Sequence, residues 1–415
     1  MAQTIDLYVA ALKEMVLPYI RNNFPKQTIA LDNMKRDANV EVMNDEFIAP
    51  IYTSRHGGVG ALANDGSNVN SGSGRRMTRG TVSSQDLYAS FDISKKTMDA
   101  SNSDMKAVEN ALTAQTKTVV DDFARQVNRM TYGDGVGVVA QVSGSNGANN
   151  VEVMQPNASL DDGRSIDWYG TINGDISPTK YLAVDQIIGI GTAGADLGTI
   201  TAVNGGTSVT TTGSPAFATN DAVYIVDGSG AGAGTSEPAG FRAALSSDTA
   251  GSYAGVGRST YSWTPQFGSV SEALTLERMQ SQYISAREYA ARDDKYIILV
   301  NKTLYNKYGS ILSAMRRTVN ETDLIGGWKG LEFVAGGGVV GVFVDYDVPD
   351  GEVLLINLDT WALCQIGEMD WLNGGGGDSL LRLQNTILYQ ATLVWFMNYF
   401  CLSPAANARD TRKTD

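Results

Sequence analysis

Gly341–Gly367 reads GVFVDYDVPDGEVLLINLDTWALCQIG. β-Branched and aromatic apolar residues dominate both halves, the composition of buried strand. Between them stands Pro349-Asp350-Gly351. Proline presets φ, aspartate bonds its own backbone and glycine tolerates a left-handed conformation, so the triplet encodes a turn. The pattern predicts two strands, GVVGVFVDYDV and GEVLLINLDTWALCQI, joined as a hairpin. Asp345, Asp347 and Glu352 also trace the outline of a calcium loop. Such a loop needs a ligand where Pro349 stands and is flanked by helices; the strand-like flanks decide for the turn.

On the N-terminal side, Ser269–Asp294 (SVSEALTLERMQSQYISAREYAARDD) reads as a helix, KYIILVN at 295–301 as a buried strand, and KTLYNKYGSILSAMRR at 302–317 as a second helical segment. On the C-terminal side a glycine tip, NGGGGD at 373–378, leads into last strands that end at Ser403-Pro404. Ile387–Leu402 is the most apolar run. At 16 residues, with Gln390 and Asn398 inside it, it is too short and too polar for a membrane span. Its Tyr, Thr, Val, Trp and Phe content favours buried strand.

The N-terminal half carries the clearest helix. Ser101 and Asp104 have capping-box spacing. Met105, Val108, Leu112, Val119, Phe123, Val127 and Met130 then step by threes and fours, with Lys106, Glu109, Lys117, Asp121 and Arg125 opposite. Gly133 and Gly135 stop it. The helix exceeds the usual length of about 11–12 residues, which suits an architectural spine. Before it, Ile5, Tyr8, Leu12, Met15 and Tyr19 recur at helical spacing until Pro18 interrupts, giving a terminal arm. IAPIYTS (48–54) and LYASFDISKK (87–96) bracket a polar stretch from His56 to Ser84, the pattern of an extended hairpin with a long tip. Arg75, Arg76 and Arg79 make that tip basic on an acidic chain. They form either a solvated loop or a docking patch for a neighbouring subunit's carboxylates.

Residues 133–260 hold 23 of the 45 glycines, and their short runs YLAVDQIIGIGT, LGTITAVNGGTSVTTTG and NDAVYIVDG read as strands. Asn204-Gly205-Gly206 marks a hairpin-type turn between two of them. This segment is expected to be a small β-barrel or sandwich inserted into a larger domain, with GSGAGAGTSEPAG at 228–240 as the return linker.

Length and composition exclude several function classes. The 415 residues suit roughly two to three domains with a large core. The start, MAQTIDLYVAALKEMV, lacks the basic segment of a signal peptide, so the chain is expected to stay in the cytoplasm of the cell that makes it. A net charge of −13 disfavours gripping a phosphate backbone. One histidine, His56, rules out H-E-x-x-H and a histidine-completed zinc site. Cys364 and Cys401 lack metal spacing and read as buried small hydrophobes. Gly58-x-Gly60-x-x-Ala63 outlines a dinucleotide turn, but the Asn-, Gly- and Ser-rich run after it is a loop where that motif requires a helix. G-x-S-x-G elbows and Walker loops are absent, and no enzyme activity, cofactor or metal is expected.

In element order the chain resembles the major capsid proteins of tailed bacteriophages. YIILVNKTLYNKYG, GVFVDYDVPDGEVLLINLDTWALCQIG and LLRLQNTILYQATLVWFMNYFCLSPAANA carry the resemblance. In that family a helix, strand and helix are followed by a Pro-Asp-Gly-type turn, a strand ending near Trp361 and a final strand run closed by proline.

The resemblance implies an α+β tailed-phage major capsid fold. Its parts would be an N-terminal arm (1–47), an extended loop over an adjacent subunit (48–100), and a peripheral domain (101–169) with spine helix 101–132. An inserted β-barrel-like domain (170–235), an axial domain (241–372) and a return to the peripheral domain (373–415) would follow. The resemblance further implies a structural protein that assembles as hexamers and pentamers into an icosahedral head in the host cytoplasm. It would enclose double-stranded DNA without sequence-specific binding, with scaffolding, portal and decoration proteins as candidate partners and no membrane. Arg55, Arg75, Arg76 and Arg79 are the candidate intersubunit contacts. A nonviral encapsulating shell of the same fold and an extracellular surface-layer or fibre protein are the alternatives.

Overall fold

The computed structural model describes residues 28–415 apart from 37–39, 55, 62–67, 69–71, 73, 97–104, 146–148, 158–169, 171, 192–195, 214–215, 227–236, 249, 261–262, 292–293, 315–320, 324–328, 337, 374–379 and 385.

Tyr296–Val300 is the centre of a seven-stranded sheet. The order is Gln266–Gly268, Ala408–Asp410, Val353–Asn357, Tyr296–Val300, Gly338–Val344, Lys329–Ala335, Glu321–Asp323. Every residue of Tyr296–Val300 is buried, because both faces are covered. Ile298 and Val300 meet Met279 and Tyr283 of helix Leu276–Arg287 and Leu304 and Tyr308 of helix Lys302–Ala314. Ile297 and Leu299 point the other way, into the main core with Phe343, Leu354 and Ile356. The two-residue period of a strand makes this division, and an unbroken apolar run is what two-sided burial demands. The first helix is shorter than the run Ser269–Asp294: Thr275 caps it, accepting from the Arg278 N–H.

This sheet corrects the expected hairpin around Pro349-Asp350-Gly351. Gly338–Val344 pairs parallel with Tyr296–Val300, and Val353–Asn357 pairs antiparallel with that strand on its other side. The turn therefore steps across an intervening strand. The run after it also divides. Leu358–Thr360 forms a 3-10 turn, and Trp361–Gln365 enters a different sheet, so Trp361 opens a strand instead of ending one. Periodicity identifies a strand but not its neighbour, which is why both features escaped the sequence pattern.

The second sheet is built on Leu388–Cys401, a 14-residue strand. Ala391, Leu393, Trp395, Met397, Tyr399 and Cys401 alternate into the main core. Gln85–Ser94 pairs with it from Met397↔Gln85 to Leu388↔Ser94, and Trp361–Gln365, Asp370–Trp371, Leu381–Arg382 and the short strand Lys35–Arg36 complete the sheet. The spine helix, Met105–Thr131, packs on Gln85–Ser94 and buries Val120, Phe123, Ala124 and Val127, while Lys117 and Arg125 face solvent. Gly135, at φ +85°, turns the chain away after it. The capping pair Ser101 and Asp104, and the expected arm helix with Pro18, lie outside the described residues.

Three further boundaries differ from expectation. The hairpin pairs Glu46–Tyr52 with Met77–Ser83, while the expected second arm, Leu87–Lys96, falls largely in the second sheet. Only Gly80 and Val82 of MTRGTVS are buried, so its polarity hid a strand inside the polar stretch.

The inserted domain is a closed six-stranded barrel that takes in Val138–Ser145 and Asn150–Met154, both ahead of residue 170. The four later strands cannot close without them, and closure is what removes exposed edges. Val142, Val151, Val153, Ile188, Ile200 and Val223 fill its interior. Asn204-Gly205-Gly206 does join two barrel strands, with Gly205 at φ +68°.

Finally, the segment after Ser403-Pro404 does not stay beside the spine helix. Ala408–Asp410 inserts between Gln266–Gly268 and Val353–Asn357 of the seven-stranded sheet, where Arg409 finds its buried partner Glu352.

Candidate functional site

The hairpin has a rooted base and an exposed end. Phe47, Ala49, Ile51 and Val82 bury its base in the main core, and Asn398 Nδ2 donates to the Ser83 carbonyl. Gly80 sits against Ile51 Cδ1 and the Phe400 ring, so any Cβ there would collide with them. Toward the tip the burial ends. Tyr52 and Met77, paired across the strands, are each about half exposed, and Val59 beyond them is 86% exposed. Large apolar side chains left uncovered together mark a surface that takes a partner.

Arg75, Arg76 and Arg79 are exposed along this hairpin. Arg75 lies 4.9 Å from the Tyr52 ring centroid. Arg76 is held by its backbone: its N–H donates to Ser54 Oγ, and its carbonyl accepts from the Thr53 N–H. Arg79 Nη2 is 3.5 Å from Glu46 Oε2 across the strands, a pair that is about half exposed. Arg55 lies outside the described residues. His56 accepts from the Gly58 N–H at 3.0 Å in a surface turn, with no helix behind it among the described residues that follow.

Buried titratable groups serve the joints between elements. Asp345 sits at the end of Gly338–Val344, 7% exposed. It accepts from Asn128 Nδ2 at 3.1 Å, the Tyr132 hydroxyl at 2.9 Å and the Asp347 N–H at 2.9 Å. Asn128 Nδ2 also donates to Asp347 at 2.6 Å. Asp347 accepts in addition from Lys180 Nζ at 2.6 Å and the Tyr181 hydroxyl at 2.8 Å. Burial first, and then the Asp347 charge, push the Asp345 carboxyl above its ordinary range. Burial and the same carboxylates push Tyr132 and Tyr181 well above the usual phenol value.

The remaining acids of DYDVPDGE have partners elsewhere. Asp350 Oδ2 accepts from three successive backbone N–H groups, those of Ile172, Asn173 and Gly174, at 2.8–2.9 Å. Glu352 is held between Arg242 and Arg409. The four acids therefore point to three different places and do not converge as calcium ligands. Among the described residues no cluster of three histidine, cysteine or acidic side chains is placed to hold a metal. Both cysteines are buried free thiols, and burial pushes Cys401 up to about 12. No described helix is long and apolar enough to cross a membrane.

The Asp345 cluster was visible in the sequence only as a D-x-D pair within a turn. Its partners Asn128, in the last turn of the spine helix, and Tyr132, just past its end, lie more than two hundred positions earlier. No local signal connects them.

No protein-family model and no curated protein matches the sequence. Solved structures do match the fold. The capsid subunit of cyanophage A-1(L) superposes with a TM-score of 0.52 at 13% identity, over 92% of this chain and 91% of that one. The chain has the tailed-phage major capsid fold. The capsid of a GTA particle (TM-score 0.44, 11% identity, 93% and 90% covered) and that of the Myoviridae phage XM1 (0.41, 7%, 92% and 90%) are also similar over nearly the full length.

Proposed function

We propose that the chain is a major capsid protein. Copies assemble as hexamers and pentamers into an icosahedral phage head, built in the host cytoplasm, that encloses packaged double-stranded DNA. One observation carries this reading: a capsid fold over more than nine-tenths of the chain, from which a rooted hairpin projects an uncovered apolar and basic end. In this role the hairpin lies over an adjacent subunit, and Arg55, Arg75, Arg76 and Arg79 meet carboxylates there. The spine helix and the Leu388–Cys401 sheet form the peripheral domain, the seven-stranded sheet the axial domain around which capsomers close, and the barrel an outer addition. The chain is structural and not catalytic. A net charge of −13 keeps the shell from adhering to its DNA. Scaffolding, portal and decoration proteins are the partners such a head requires.

The test is to express the full chain and follow it by sedimentation and negative-stain electron microscopy. Rings of five or six, tubes or closed shells are expected. A folded monomer at every concentration, with or without a crowding agent, would overturn the proposal. Nuclease-protected DNA inside particles from infected cells distinguishes a phage head from a shell that holds a protein cargo.

A further inference from the structure

Asp345 and Asp347 lie where three parts of the molecule meet. The end of the spine helix supplies Asn128 and Arg129, and the residue after it is Tyr132. The segment leading into the barrel supplies Lys180 and Tyr181. The loop itself supplies the two carboxyls and the Tyr346 carbonyl, which accepts from Lys180 Nζ at 2.7 Å. The charges facing the pair do not balance. Among the described residues Lys180 is the only cation bonded to either carboxyl; the Arg129 guanidinium also faces Asp347, but its bonds go to Glu237, whose charge offsets it. Asp350, five residues on, is turned toward the Ile172–Gly174 amides. The other donors to the pair are neutral: two phenols, one amide and one backbone N–H. Asp347, 12% exposed, has Lys180, whereas the buried Asp345 has only neutral donors, and a buried carboxylate without a cation is strongly disfavoured in low-dielectric surroundings.

Two further details fit a missing proton. Asn128 Nδ2 lies within 3.4 Å of three carboxylate oxygens, while Asn128 Oδ1 is buried without a partner. Turning that amide over would offer an acceptor to an acid O–H. A cavity of about 20 Å³, lined by Tyr132, Tyr181, Asp347, Arg129 and Glu237, adjoins Asp347 and has room for a single water.

We propose that Asp345 carries a proton in the folded chain, and that this protonated joint latches the barrel's leading segment to the spine helix, so that raising the pH loosens it. Lys180 holds the loop from the barrel side, with its ammonium on Asp347 and the Tyr346 carbonyl. The sign of the effect follows from the carboxyl's elevation in the fold. The folded chain holds the proton more tightly than the unfolded chain does. The contribution is complete below the ordinary carboxyl value of 3.8 and is lost as pH rises through the elevated folded value.

The test compares thermal midpoints of the full wild-type chain and Asp345→Asn, whose amide imitates the protonated acid, from about pH 4 to about pH 8. Wild type should lose at least ~2 °C relative to Asp345→Asn as the pH rises. After correction for intrinsic rates, amide exchange at Ile172–Gly174 and Lys180–Ala183 should accelerate over the same range in wild type alone. Parallel profiles for the two chains would overturn the proposal. If Asp345→Asn does not fold, infrared spectra of the wild-type chain decide: a carboxylic-acid carbonyl band that persists above the pH range in which exposed carboxyls ionise supports the Asp345 proton, and its absence overturns it. Calcium that raises the wild-type midpoint at high pH, and does so less in Asp347→Asn, would also overturn it, by making a metal rather than a proton the bridge.

Discussion

Arg409 grips Glu352 with two parallel hydrogen bonds in the interior: Nε to Oε2 at 3.0 Å and Nη2 to Oε1 at 2.7 Å. Neither side chain is more than 2% exposed. Arg242 Nη2 adds a third bond to Glu352 at 2.9 Å. These residues come from the C-terminal strand, the end of the Pro349-Asp350-Gly351 turn and the short helix Phe241–Ala244. The carboxylate thus pins the chain terminus to the middle of the fold.

Glu352→Gln should therefore be severe. It leaves two buried guanidinium groups facing a neutral amide, a loss of about 3–5 kcal/mol when one partner of a buried pair is removed. The denaturant midpoint should fall with little change in slope. Arg409→Lys keeps the charge and loses the fork, so its loss should be smaller. A Glu352→Gln chain with the wild-type midpoint would show that the triad does not anchor the terminus.

Asp350 makes a second anchor, with the opposite chemistry. One of its oxygens satisfies three backbone donors, so Asp350→Ala strands all three. Ile172 and Asn173 are half-buried and Gly174 is exposed, so water replaces part of what is lost; against about 1–3 kcal/mol for each fully buried unsatisfied group, a net loss of about 2 kcal/mol is expected. Asp350→Asn retains an acceptor oxygen and should recover about half of it. Hydrogen exchange at Ile172, Asn173 and Gly174 reads the effect directly. Unchanged protection in Asp350→Ala would show that the amides are satisfied some other way.

The sequence already disclosed what depends on neighbours along the chain. The Phe123–Val127 stripe, the continuous run Tyr296–Val300 and the turn at Asn204-Gly205-Gly206 are local signals, and each appears where expected. Pairing over distance was not legible. Nothing in VFVDYDV says that Tyr296–Val300 separates it from Val353–Asn357, and nothing in LYASFDIS says that its partner lies three hundred residues on, at Leu388–Cys401. Boundaries failed for a related reason. Val138–Ser145 looks like any short strand until the barrel needs it to close. At the hairpin, the basic tip was legible from charge alone, but the Arg79–Glu46 pair within it depends on strand register.

Barrel closure sets the outcome of excision. Removing 170–235 takes four barrel strands and leaves Val138–Ser145 and Asn150–Met154 with open edges and bare apolar faces. That variant should aggregate. Removing 138–226 with a short linker takes the barrel whole. It also takes the Asp350 and Asp347 partners, so the remaining core should unfold cooperatively at a lower midpoint. Calorimetry separates the two. A soluble, cooperative chain from the first deletion and an insoluble one from the second would show that the barrel is not the structural unit.

The hairpin's exposed end can be tested without disturbing its base. Deleting Gly57–Arg75 and closing the ends with a short turn keeps both strands and the buried Phe47, Ile51 and Val82. The chain should fold as before and fail to form shells; normal shells would remove the tip from assembly. Replacing Arg75, Arg76 and Arg79 with Glu probes charge alone. These are surface positions, so stability should change by no more than ~0.5 kcal/mol each. Shell formation, followed by light scattering, should slow at low ionic strength and converge on wild type as salt screens the docking charges. Arg79 is already paired with Glu46, and its single reversal should matter least. Assembly at low salt that ignores all three reversals would leave the apolar side chains, Tyr52 and Met77 first, as the groups that seat the neighbour.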